Sequence, residues 1–239
     1  SVDGDGDIAA YLAKKGAGLD KYAEKMEQIS SYETDLTYGK FFEGQRVELW
    51  QIDEELPEQM IDAFALSDVN KALKMQGKKP LTLKEDQYLI NCNYKGTYAY
   101  IDTALKLHSE VTINGQVLHR ASDEVMQDTF IMTSIGNNDR GTLTVPDKIA
   151  NGLKKDMNAL LVRYKPDVNS NEVLKKMIPI GLDKTHGYRY AEKNIMYEMY
   201  YGTNALMSFL CCYLGIIFLL ICAALLALKQ LTETTDNVS

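Results

Sequence analysis

The residues able to do chemistry in this chain are few and scattered. Its three histidines, His108, His119 and His186, lie far apart and show no metal-ligand spacing. A zinc hydrolase sets two histidines one helical turn apart around a glutamate, and a dithiol site sets two cysteines three positions apart. Neither pattern occurs, and there is no GxSxG nucleophile elbow and no phosphate-cradling P-loop. His108 follows a predicted helix, His119 lies in a predicted hairpin strand and His186 in a turn, so each reads as a surface or structural residue. Cys92 has no basic neighbour in sequence and reads as a buried apolar residue. The adjacent carboxylates Glu54-Glu55 and Asp123-Glu124 read as solvated faces. A glycosidase pair can be distant in sequence, so carboxylate chemistry stays open on this evidence.

Asp3, Asp5 and Asp7 alternate like the start of a calcium loop. Ile8 then stands where that loop needs glycine, and Lys14 where it needs its closing glutamate. The opening "SVDGDGD" therefore reads as a mobile lead-in. The loop "GNNDRG" (136–141) is polar and flanked by apolar runs; it is a hairpin loop or a partner-contact loop. The expectation is a non-catalytic protein with no metal and no cofactor.

Elements must still be found to position these residues. Residues 8–31 read as helix, broken near Gly16–Gly18, with Asp20 capping "DKYAEKMEQIS". "RVELWQID" alternates like a half-buried strand. "QMIDAFALSDVNKALKMQG" reads as strand, Ser67 cap, helix, and stop at Gly77. "PLTLKEDQYLINCN" reads as two short strands about an acidic turn, and "YIDTALKLH" as a helix. "EVTINGQVLHRA" is a hairpin, because Asn114-Gly115 supplies the positive φ angles of a tight turn. "TFIMTSI", "RGTLTVP" and "NALLVRYK" read as strands. "DKIANGLKK" reads as a helix, as does "NSNEVLKKMIPIGL", ended by Pro179 and Gly181. "FALSDVNKALK" and "LTVPDKIANGLK" echo one another as strand, polar cap and helix. The fold class is α+β: a mixed α/β domain made of two related lobes or one pseudo-symmetric unit.

The chain has 239 residues and formal net charge −7. This is globular composition, and the acidic balance with no basic, aromatic-interleaved stripe argues against nucleic acid as a partner. From Ala205 to Leu228 run 24 uncharged residues, mostly apolar. As a helix they span about 36 Å, against about 30 Å of bilayer hydrocarbon. A transmembrane helix is expected. Tyr197, Tyr200 and Tyr201 precede it and Lys229 follows, which suits the two headgroup regions. Ser208, Cys212, Gly215, Cys222, Ala223 and Ala227 would let a neighbouring helix approach closely in lipid, or are small residues in a simple anchor. From about Ala191 a helix can run straight into the span as a stalk able to transmit rotation or tilt, unless Gly202 acts as a hinge. Of four cysteines only Cys92 lies before the span, so no internal disulfide is expected in the soluble part, which fits the cytosol or a bacterial exterior that makes little use of disulfides.

The C-terminal stretch "YGTNALMSFLCCYLGIIFLLICAALLALKQLTETTDN" resembles the helix that follows the large extracytoplasmic domain in FtsX-like ABC transporter permeases of Gram-positive bacteria. "FALSDVNKALKMQGKKPLTL" and "NNDRGTLTVPD" resemble segments of such domains. The resemblance implies an extracytoplasmic domain (1–187), a stalk helix (188–203), a transmembrane helix (204–229) and the cytoplasmic start of a further segment (230–239) in a bacterial cell membrane. It implies partnership with a separate ABC ATPase subunit, with other transmembrane helices of the same permease and with membrane lipid. The outside domain would take a peptide, such as an antimicrobial peptide, or a lipoprotein ligand, and the chain would be a fragment of a longer permease. The competing expectation is a tail-anchored protein whose interaction domain faces the cytosol.

Overall fold

The computed structural model describes residues 6–47, 55–128, 140–169, 172–173, 175–177 and 193–236. The chain divides into two compact units, Ser1–Tyr190 and Ala191–Ser239. The first is built on a seven-stranded sheet. Its strands are β1 (Ala23–Glu33), β2 (Ala63–Ala65), β3 (Gln87–Asn91), β4 (Glu110–Ile113), β5 (Gln116–Arg120), β6 (Thr142–Val145) and β7 (Lys154–Tyr164), in spatial order β4-β5-β3-β6-β2-β1-β7. Among the described residues this unit has the α-helices α1 (Ile8–Lys14), α2 (Tyr38–Phe41), α3 (Leu66–Met75), α4 (Tyr98–Leu107) and α5 (Asp147–Ala150), with further helical residues at 172–173 and 175–177. The sheet is mixed: β2 and β6 are parallel, as are β3 and β5, and the other neighbours run antiparallel.

Strand alternation sets the two faces of the sheet. On β2, Ala63 and Ala65 join the larger cluster with Tyr88, Ile90 and Leu143, while Phe64 points the other way to meet Ile29. Each face has its helix. Ile101, Ala104 and Leu105 of α4 form an i, i+3, i+4 stripe in the larger cluster; Val69, Ala72 and Leu73 of α3 repeat that spacing against Phe64 and Ile29. A third cluster, Leu12, Leu19 and Val173, gathers α1 and the end of β7.

The α+β class expected from sequence is what the structure shows, and several elements differ in detail. The predicted helix over residues 8–31 is α1 followed by the 11-residue strand β1. β1 pairs with β7 from Ala23↔Tyr164 to Glu33↔Lys154, a contact 121 or more residues away in sequence that outweighs the helix preference of Ala, Glu, Lys and Met. Asp7 caps α1 through its side chain, accepting from Ala10 N at 3.1 Å. The first strand expected in "PLTL" does not form. Leu81 instead gives both backbone groups to one side chain: its N–H donates to Asn70 Oδ1 (2.7 Å) and its carbonyl accepts from Asn70 Nδ2 (3.0 Å).

The two echoing segments are neighbours in one sheet, not separate lobes. Phe64 pairs with Thr144 and Ala65 with Val145 in parallel register. Ser67 is not the cap of α3. That position belongs to Ala65, which has no side-chain bond, and the Ser67 N–H is satisfied by Asp147 Oδ1 of the second segment at 2.9 Å. α5 is a single turn and β7 begins at Lys154, so "DKIANGLKK" is shorter as a helix than expected. The Asn114-Gly115 hairpin forms as read, with φ of +46° and +78°. All but the first two residues of "RVELWQID", the whole of "TFIMTSI", residues 136–139 of the polar loop and Pro179 with Gly181 lie outside the described residues.

Candidate functional site

The second unit contains one helix, α6 (Lys193–Asp236, 44 residues), which continues through Gly202 without a break. No atom lies within 4 Å of a Cβ built at Gly202, so glycine there answers no packing demand. Within α6, Asn204–Gln230 is long and apolar enough to cross a membrane, and none of its most apolar window is buried in the chain. A core helix of a soluble protein would be mostly covered. Leu219, Phe218 and Phe209 are instead 68%, 66% and 66% exposed. Among the described residues nothing covers their apolar surface, and water is the least favourable surrounding for it.

Ser208, Cys212, Gly215, Cys222, Ala223 and Ala227 all lie on α6. At about 100° per residue the first four share an arc of about 80°, which Ala223 and Ala227 widen to about 140°. Ser208, Gly215 and Cys222 fall seven residues apart, and Tyr201 and Lys229 extend the same spacing at either end. That repeat was available in the sequence and is a sharper signal than small residues counted singly. Tyr197 and Tyr200 lie in the helix ahead of the span, and Tyr201 and Lys229 are exposed. Phe209 and Tyr213 stack at i, i+4 with ring centroids 6.4 Å apart.

The residues singled out for chemistry are not brought together. His108 caps α4, with Nε2 2.7 Å from the Glu43 carbonyl oxygen. His119 lies on β5, with Nδ1 3.3 Å from Glu110 Oε1. Cys92 is fully buried, with Sγ 3.1 Å from Thr97 Oγ1. Asp123 pairs with Arg120 Nε at 2.8 Å. Among the described residues no group of three or more His, Cys, Asp or Glu could hold a metal ion. His186, Glu54, Asp3 and Asp5 lie outside the described residues.

One polar cluster escaped the sequence reading. Ser31 pairs with Phe64 and Tyr32 with Ala63; the next rung would set Ser30 against Ala65, where β2 ends and α3 begins. Asp68 takes over there: its Oδ2 accepts from Ser30 N at 3.0 Å and its Oδ1 from Lys71 Nζ at 2.7 Å. The Lys71 ammonium is held above its usual pKa, chiefly by that hydrogen bond. Ser30 Oγ donates to Asn158 Oδ1 (2.6 Å) and Ser31 Oγ to Asp156 Oδ2 (3.3 Å), so β1, α3 and β7 are joined. The Ser30 hydroxyl is spent on an amide oxygen, not a base, and the cluster works as a brace. Reading β1 as helix hid it, because the cluster exists only where β1 lies as a strand beside the end of β2 and along β7.

Comparison with known proteins finds no matching family model, no matching curated protein and no matching solved structure.

Proposed function

We propose that this chain is part of an FtsX-like ABC transporter permease subunit, in which the α+β unit is an extracytoplasmic ligand-binding domain and α6 couples it to a partner ATPase. The observation that carries the reading is the uninterrupted 44-residue α6, whose apolar window is wholly uncovered. At about 66 Å it is roughly twice as long as the hydrocarbon of a bilayer is thick. A simple anchor needs only the span. A helix that continues beyond it by several turns, with no break at Gly202, supplies a stiff element that a nucleotide-driven motion can tilt or rotate. The seven-residue run of small side chains gives other transmembrane helices a place to pack.

The ligand is a cationic peptide or a lipoprotein. The chain is acidic overall, which favours a cationic species within about a Debye length. Two measurements test the reading. Glu85 is exposed and Cys92 is buried, so Glu85→Cys gives a soluble unit one reactive exposed thiol among its described residues. Labelling in intact cells by a membrane-impermeant maleimide places the unit outside. Labelling only after lysis supports the tail-anchored alternative and sinks the permease reading. Titration calorimetry on the chain in lipid nanodiscs, against cationic peptides with and without lipid-linked cell-wall precursor, then tests the ligand. Saturable binding at physiological salt supports a peptide, and its absence moves the assignment to a lipoprotein.

A further inference from the structure

We propose that the lysine–tyrosine cluster at the Leu12–Leu19–Val173 end of the α+β unit is a docking surface for anionic lipid headgroups. This goes beyond the permease reading and requires only that α6 sits in a bilayer.

Charge in this acidic chain is segregated. Residues 8–25 and 163–177 carry eight Lys or Arg and four Asp or Glu, net +4, which leaves −11 for the rest. The fold brings these two segments together through α1, the end of β7 and the helical residues around Val173, which share one apolar cluster. Above that cluster the cations converge on two tyrosines. Lys21 Nζ and Lys176 Nζ lie 4.7 and 5.2 Å from the Tyr22 ring centroid, and Lys15 Nζ lies 5.8 Å from that of Tyr11. Lys165 Nζ donates to the Lys21 carbonyl oxygen at 2.9 Å, so a fourth ammonium joins the group.

All four lysines are exposed. Among the described residues none of them is ion-paired with a carboxylate, whereas Lys71, Lys78 and Lys154 elsewhere on the unit are. Lys176 is held above its usual pKa, chiefly by its hydrogen bond to Tyr22 with a smaller pull from Glu172, so its ammonium stays charged and, like the other three, open to anionic headgroups. The same lysines act on Tyr22, whose phenol lies below its usual pKa, chiefly through its hydrogen bond to Lys176 and then that to Lys21.

A lipid surface fits better than a compact anion. The ammonium groups spread over an exposed face, and Tyr beside Lys is the pairing suited to a headgroup layer. The same chain carries the helix, long and apolar enough to cross a membrane, that the proposal seats in that bilayer. The segment carrying Lys176 is the last described part of the unit before α6 begins at Lys193.

The test uses the full chain in nanodiscs of phosphatidylcholine, with or without phosphatidylglycerol. A soluble lysine-acylating reagent is applied briefly and each site is read by mass spectrometry. Lys21, Lys165 and Lys176 are expected to be acylated about three-fold less in the anionic discs, with the protection lost at high salt. Lys84, Lys95 and Lys106, exposed elsewhere, should react alike in both. Lys21→Glu with Lys176→Glu, both at exposed positions, should return Lys165 to its rate in neutral discs. Equal acylation in the two discs overturns the proposal. So does uniform protection of every lysine, or equal protection by inorganic phosphate in neutral discs, which would mark a small-anion site.

Discussion

The two units of this chain solve opposite problems. The α+β unit buries its large apolar side chains: Leu143, Ile61 and Ile101 are each 0% exposed. α6 buries nothing in its apolar window. Both draw on Leu and Ile, and the span's lack of charge is matched by a difference in periodicity. α3 and α4 carry apolar residues at i, i+3 and i+4 and polar ones between, while the span of α6 is apolar all round. A stripe calls for a sheet to cover it; a full cylinder calls for lipid.

The contrast breaks most visibly with one truncation made in each unit. Leu143→Ala removes a fully buried side chain from a strand flanked on both sides, and should cost about 3 kcal/mol, read from the urea midpoint of the α+β unit in detergent. Leu219→Ala makes the same chemical change at a 68% exposed site on α6 and should leave that midpoint unmoved. If both substitutions shift it equally, the two units are not independent. Next in size is the brace. Asp68→Ala leaves the Ser30 N–H without its acceptor inside the protein and should cost about 2 kcal/mol by the same measurement. Asp68→Asn retains an acceptor and should cost less.

A smaller effect sharpens the picture of the core. Burial pushes the Tyr88 phenol up to about 12, and its Oη has no hydrogen-bond partner among the described residues. In the unfolded chain the phenol ionises near 10, so the unfolded state loses protons first as pH rises. The neutral phenol's contribution is therefore intact below pH 10 and lost between 10 and 12, by about 1 kcal/mol at pH 11. Tyr88→Phe should match the parent at pH 7 and lose less stability by pH 11 in paired thermal melts. Identical slopes would mean that the hydroxyl reaches solvent. Smallest of all, Gly202→Ala should raise the helical signal of α6 by only about 1 kcal/mol of local propensity, because nothing crowds the site. A large change in helicity would reveal a hinge at Gly202.

Much of this architecture can be read from local pattern. The Asn114-Gly115 turn, the stripe of α4 and the apolar cylinder of α6 each carry their own signal within a dozen or two residues. What is illegible depends on distant partners. Nothing within "AEKMEQISSYE" announces that β7 will pair with it, and its residues favour helix, so its own pattern points to the wrong element. With β1 went the brace, since Asp68 matters only where β2 gives out beside Ser30. "PLTL" fails as a strand because an asparagine eleven residues earlier holds it. On α6 the small residues were legible singly, and their seven-residue order emerges once the helix is known to be continuous.

The pairing of β1 with β7 also fixes an order of events in time. Ala23 meets Tyr164, and 141 positions of chain must be synthesised between them. At about 5–20 residues per second this takes about 7–28 seconds, during which an 11-residue strand awaits its partner. The sheet cannot close until β7 has left the ribosome, and α6 is made after it. The last strand of the sheet is thus made 29 positions before the start of the helix that is long and apolar enough to cross a membrane. Closure of the sheet and emergence of that helix therefore fall close together in the chain's synthesis.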